Sequence, residues 1–291
     1  MVQRLFSLFL LLAVVSLTFG LSKVVVTGGA GRTGKLVFKK LLEKSDVFSP
    51  LAVVRTEKSK KALIKETGAS ESQVIVGDVS DAEALKAALV GAEKLVLCTS
   101  AVPKIKPLSI VKVLLLKLIR KTGRPSFTFR EGGSPYDVDF VAAKTQIDCC
   151  KAAGVKQVVV VSSMGGTQPD NFLNSIGKVE GDAKSGDILL WKRKAELHLI
   201  ASGLGYTIVH PGGLLDKKGG EREIVFGVDD NLLKEKTRSI PREDVAEVCV
   251  QALTQPGALR RSFDIISREP GSGAPTSDWR AFFAQSGNCK Y

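Results

Sequence analysis

Short runs of consecutive apolar residues, many of them β-branched, alternate along the chain with segments in which apolar positions recur every three or four residues. The runs Lys23 to Thr27, Leu51 to Arg55, Gln73 to Val76, Lys94 to Cys98, Gln157 to Ser162, Tyr206 to His210 and Phe263 to Ile266 read as strands. The periodic segments Arg32 to Glu43, Glu57 to Glu66, Asp81 to Val90, Asp137 to Ala153, Asp187 to Ser202 and Arg242 to Gln255 read as helices. Asp81 precedes one periodic run and Pro241 stands where a proline opens another, both helix-start signals. Strands apolar on successive positions are buried on both faces. Joined by segments long enough for a helix, they predict an α/β fold with a doubly wound, mostly parallel sheet. The stretches Ser100 to Pro135, Ser163 to Gly186 and Pro211 to Ile240 are long and rich in Gly and Pro. In an open sheet of this kind the ligand lies outside the carboxyl ends of the strands, so these stretches are expected to wall the substrate side.

Composition excludes other classes. With 291 residues, 44% hydrophobic, 25% charged and 28 glycines spread along the length, the chain is neither disordered, collagenous nor coiled coil. A formal net charge of +12 suits a polyanionic partner, an anionic membrane surface or a phosphate-bearing cofactor. Arg4, the apolar run Leu5 to Val15, and Thr18 and Gly20 as small residues before a cleavage point give residues 1–20 the pattern of a signal segment. Residues 21–291 then form one domain, with no Pro/Ser-rich linker to divide it. The five cysteines form no disulfide framework. A signal segment ahead of a reduced-type domain would suit entry into a complex plastid through the secretory route, though the final compartment stays open.

Thr27-Gly28-Gly29-Ala30-Gly31-Arg32-Thr33-Gly34 follows the first strand and opens the first helix. Gly28 permits a tight turn, Gly31 lets the backbone approach a pyrophosphate, and Gly34 lets the helix sit close to the sheet. The amides of the helix start, including Arg32 and Thr33, then face the phosphates. NAD-binding loops use an acidic residue at the end of the second strand to hold the ribose hydroxyl. This chain has Arg55 there, with Arg32, Lys58 and Lys60 nearby, which favours NADP and its 2′-phosphate. Asp78 and Val79, after the third strand, are placed at the adenine edge, and Thr99 and Ser100 beside the cofactor path.

These motifs carry a resemblance. The glycine loop, Asp78-Val79, the strand Val158 to Ser162 running on into Ser163-Met164-Gly165-Gly166, and Trp191-Lys192-Arg193-Lys194-Ala195-Glu196 resemble the atypical short-chain dehydrogenase/reductases, most closely the NmrA-like NAD(P)-binding proteins of plant and algal type. Tyr206 to Asp216 and Ile240 to Ala246 extend the likeness from Ser22 to about Phe283. The resemblance implies a Rossmann-like fold with a small C-terminal region, NADP as cofactor, and a Ser with a Tyr-x-x-x-Lys pair as catalytic group. Ser162 or Ser163 matches the serine and Lys194 the lysine, which also contacts the cofactor. Four residues before Lys194 stands Leu190, which transfers no proton. Two readings follow: an oxidoreductase on a small carbonyl or quinone-like substrate with another proton donor, or a non-catalytic NADP(H)-sensing or scaffold protein. Tyr136 and His210 are substitute donors, each more readily a packing or structural residue. His198 reads as packing.

Between Ala101 and Phe129 the chain carries Lys104, Lys106, Lys112, Lys117, Arg120, Lys121 and Arg124 and no acidic residue. Within it, residues 108–119 form an apolar helix, with Val111, Leu114, Leu115, Leu118 and Ile119 on one side. It could cover the sheet edge, close the pocket as a lid, or rest on a membrane surface through residues 108–121. Nucleic-acid binding is not expected, since no aromatics interleave with the basic residues.

Overall fold

The computed structural model describes residues 20–290, so the signal segment expected over residues 1–20 lies, but for Gly20, outside the described residues. The strands are β1 (Ser22–Thr27), β2 (Phe48–Val54), β3 (Val74–Val76), β4 (Lys94–Leu97), β5 (Lys104–Ile105), β6 (Phe127–Thr128), β7 (Gln157–Val161), β8 (Gly205–Pro211), β9 (Gly213–Leu215), β10 (Ile224–Gly227), β11 (Ser239–Pro241) and β12 (Arg261–Ser267). The α-helices are α1 (Arg32–Leu42), α2 (Glu57–Thr67), α3 (Ala82–Leu89), α4 (Pro107–Leu118), α5 (Ala143–Ala152), α6 (Phe172–Ser175), α7 (Ile188–Ala201), α8 (Arg242–Ala252) and α9 (Trp279–Ala284).

Eight strands form one sheet in the order β10-β12-β8-β7-β4-β1-β2-β3, parallel throughout except for β10 against β12. This is the Rossmann-like arrangement that the burial pattern predicts. Val24 and Val26 of β1 join α1, α8 and α9 in one core, through Val37, Leu41, Val245 and Phe282. Val25, between them, faces the other way, into a core with Leu85 and Leu89 of α3, Ile147 and Cys150 of α5 and Leu199 of α7. Alternate residues of one strand thus anchor helices on both faces, so a continuous apolar run is required.

Two differences from the sequence reading have physical reasons. The second strand begins at Phe48 rather than Leu51 and so includes Pro50, which pairs with Val24 of β1. Pairing with β3 starts only at Ala52, so proline's missing N–H lies where no second neighbour needs it. The antiparallel strand β10, Ile-Val-Phe-Gly, lies within the expected long stretch Pro211 to Ile240, where four residues among glycines carry no detectable period.

The sheet order reverses between β1 and β4, and both neighbours open there at their carboxyl ends. The loops after β1, β4 and β7 converge on this point, where an open α/β sheet places its ligand.

Candidate functional site

Gly28 leaves β1 with a φ of +70°, the left-handed region. A Cβ there would stand 2.8 Å from the carbonyl carbon and oxygen of Cys98, at the end of β4. A Cβ on Gly34, in the first turn of α1, would collide with the Gly28 carbonyl oxygen. These glycines therefore hold the turn and the helix against the sheet. Gly31, exposed, is the N-cap of α1; no side chain caps the helix and its first turn has no acidic residue. Such a helix start is suited to a phosphate.

Arg55 lies exposed immediately beyond β2. Asp78 accepts from the hydroxyl (2.6 Å) and amide (2.9 Å) of Ser80, which hold its carboxyl below the usual range, with smaller help from Arg130 and Arg55. Val79 packs on the core beside α3. Arg32 reaches across to Asp216 at 2.8 Å, and Asp216 also takes Arg242 at 2.6 Å. The glycine loop is thereby linked to the segment following β9, and the Arg32 guanidinium stays exposed at the mouth of the site.

At the ends of β4 and β7 is a cavity of about 20 Å³, lined in part by Thr99, Asp139, Ser162, Lys192 and Glu196. Lys192 on α7, nearly buried, pairs with Asp139 at 2.7 Å; the Asp139 side chain has no exposure. Asp139 also accepts from the Ser100 hydroxyl (2.9 Å) and the Ala101 amide (3.1 Å), and Gln146 donates to the Thr99 hydroxyl at 3.2 Å. Ser162 donates its hydroxyl proton to Glu196. Ser163 instead donates to the Met164 carbonyl.

The structure does not bring Lys194 to this group. Its side chain is exposed and the ammonium lies 4.3 Å from the centre of the Trp191 ring. A helix advances about 100° per residue, so two positions move a side chain to the opposite half of α7. Lys192 and Glu196, four apart, share the inward face. The position four before Lys192 is Ile188, as apolar as Leu190, so a Tyr-x-x-x-Lys pair is missing in either register.

Glu196 continues inward to a buried network. His210, fully buried, has its Nε2 3.2 Å from Glu196 and its Nδ1 3.3 Å from Asp264. Burial opposes its protonation, but Glu196, Asp264 and the nearby Cys289 outweigh that and raise its pKa well above 6.5. Burial likewise opposes the Glu196 carboxylate, yet His210, Ser162 and Arg193 bring its pKa down to about 2. Glu196 and Asp264 thus favour the protonated form of His210 in this buried network.

Tyr136 packs edge-on against Trp191, ring centres 4.9 Å apart, within a cluster that includes Phe140. His198 pairs with Asp148 at 2.6 Å on the surface. All five cysteines are free, and burial pushes Cys98 and Cys150 up to about 12, which keeps them as thiols. Lys192, Asp139 and Glu196 match no catalytic motif in the sequence; the four-residue spacing of Lys192 and Glu196 is the one signal that they share a helix face.

Comparison with known proteins agrees with this geometry. The family model for NAD(P)H-binding matches residues 28–256. Sanguinarine reductase of Eschscholzia californica is 41% identical over 271 residues, 90% of this chain and 95% of that protein. An uncharacterized chloroplastic protein of Arabidopsis thaliana is 47% identical over 262 residues, 90% of this chain and 74% of that one. Among solved structures, a putative NAD-dependent epimerase/dehydratase from Bacillus halodurans superposes with a TM-score of 0.64 at 23% identity, covering 91% of this chain and 100% of its own. With its glycine loop at the point where the sheet order reverses, and with relatives of this similarity, the chain belongs to the NAD(P)H-binding family whose model spans most of its length.

Proposed function

We propose that the protein is an NADPH-dependent reductase of a small carbonyl or quinone-like substrate, with Lys192 as the group that meets the substrate's oxygen. The observation that carries this reading is the placement of the Lys192 ammonium, partly exposed and held against Asp139, which also accepts from the Ser100 hydroxyl just beyond β4. The glycine loop, the helix start of α1 and the exposed guanidinium of Arg55 fit a dinucleotide with a 2′-phosphate. When bound, the nicotinamide supplies hydride to the substrate. Ser162 has its proton committed to Glu196, which is ionised at neutral pH, so Ser162 offers an oxygen lone pair rather than a donor. Lys192 keeps two N–H groups beyond the one directed to Asp139, and can orient the substrate oxygen and pass it a proton. Asp139, held by Ser100 and Ala101, fixes where that ammonium sits. Thr99 and Ser100, just beyond β4, would help hold the nicotinamide half of the cofactor.

A second reading is favoured by Ile188 and Leu190, neither of which can serve as the missing tyrosine: an NADP(H) sensor that binds without turnover. Titration of the purified chain with NADPH, NADP, NADH and NAD, followed by NADPH consumption over aldehydes, quinones and sanguinarine, separates the two. Substrate-dependent consumption supports the reductase. Tight binding with no consumption across the panel supports the sensor, and no dinucleotide binding refutes both. We infer a plastid destination, because the Arabidopsis relative is chloroplastic and residues 1–20 suit the secretory route into a complex plastid.

A further inference from the structure

The chain leaves β4 at the site, forms the hairpin of β5 with β6 around α4, and returns at Tyr136. Helix α4 is built the reverse of a covering helix. Its exposed side carries Leu108, Val111, Leu114, Leu115 and Leu118, continued by Ile119, each more than half exposed. The opposite side carries Ser109, Val113 and Leu116, which are partly buried. On a helical projection the exposed residues span roughly 140°, an unbroken apolar strip. Of the three readings of this segment, a cover packed on the sheet edge does not fit, because the larger apolar side chains point outward.

Cations surround the strip. Lys104 and Lys106 precede α4, and Lys117, Arg120, Lys121 and Arg124 accompany or follow its last turn; all six are exposed. None forms an ion pair among the described residues, and no acidic residue occurs from Ala101 to Phe129. An apolar face rimmed by unneutralised cations matches a bilayer with anionic headgroups: the leucines enter the acyl boundary and the lysines and arginines meet the phosphates. A soluble partner or a second copy of this chain would meet the same uncompensated cations, and this surface offers itself no acidic complement. At 12 residues α4 is about 18 Å long, well short of the hydrocarbon thickness. Among the described residues no helix is long and apolar enough to cross a membrane. The geometry points to α4 as an interfacial anchor that docks the protein, site side first, on an anionic lipid surface. The proposal stands apart from the reductase reading, because neither its residues nor its test involve the cofactor.

The test is co-sedimentation of the full chain with vesicles of phosphatidylcholine alone or with about 30 mol% phosphatidylglycerol. The comparison is with the Leu115→Glu/Leu118→Glu double variant, whose changed side chains are exposed. Residues 1–20 are the same in both, so any affinity of their own cancels in the comparison. The expected result is binding of the wild type to the anionic vesicles, release at about 0.5 M salt, and at least about tenfold weaker binding by the variant. Equal sedimentation of wild type and variant, or binding indifferent to headgroup charge, would overturn the proposal. So would a wild-type dimer in solution that the double substitution dissociates, since a second copy would then cover the strip.

Discussion

Replacing Lys192 by alanine removes the cation facing a carboxylate with no solvent exposure. Breaking a buried ion pair by deleting one partner costs about 3–5 kcal/mol. Here the cost falls to the foot of that range or just below it, because the Lys192 side chain is 13% exposed and Asp139 keeps donors from Ser100 and Ala101. A loss of about 2–3 kcal/mol is therefore expected in equilibrium denaturation by urea, seen as a lower midpoint at unchanged slope. The same change at Lys194 gives up an exposed ammonium over the Trp191 ring, worth about 0.5–1 kcal/mol. Asp139→Asn should recover part of the stability of Lys192→Ala, since it takes away the stranded charge and keeps an acceptor for Ser100. The cycle of the two substitutions should report a coupling of about 1 kcal/mol or more. If Lys194→Ala costs as much as Lys192→Ala, or the cycle shows no coupling, the assignment of Lys192 to the site is refuted.

Other consequences can be checked separately. Gly34→Ala places a methyl group into the Gly28 carbonyl and should weaken dinucleotide binding at least about tenfold by isothermal titration; unchanged affinity would mean the loop does not hold the phosphates. Arg55→Glu should move the preference of the site from NADPH towards NADH by about tenfold or more in the same titration, and an unchanged ratio would separate Arg55 from the 2′-phosphate. The Glu196 carboxyl lies at about 2 in the folded protein against an ordinary 4.5, so its contribution of about 3 kcal/mol is complete above pH 4.5 and lost as pH falls towards 2. His210, raised in the folded state, contributes fully below pH 6.5 and loses that contribution as pH climbs through its higher value. Thermal unfolding of the wild type should therefore fall off on the acid side more steeply than that of Glu196→Gln. Parallel profiles would show that the pair does not form.

The strands were legible because burial on both faces leaves an unbroken apolar run, as Val24, Val25 and Val26 show by entering opposite cores. The glycine loop was legible because its spacing answers to steric contacts that only glycine tolerates at positions 28 and 34. Choosing between Lys192 and Lys194 required the phase of α7, and the leucines obscure it: Leu189 and Leu199 are buried while Leu190 and Leu197 are about half exposed. Asp139 could not be found by motif at all. It stands in a π-helical turn, Tyr136–Ala142, that runs into α5, and its partners Ser100 and Lys192 are distant in sequence. The helical period of residues 108–119 is plain in the sequence, but which side faces solvent depends on a tertiary packing that leaves the leucines outside.

The most direct test of the central claim is NADPH consumption by the wild type, Lys192→Met and Lys194→Met, measured on an aldehyde or quinone that the wild type turns over. The account predicts that Lys192→Met lowers kcat by about a hundredfold or more, while it still binds NADPH. Lys194→Met should retain wild-type turnover. Full activity in Lys192→Met, or its loss in Lys194→Met alone, would contradict the assignment of the reacting wall to Lys192, Asp139 and Ser162.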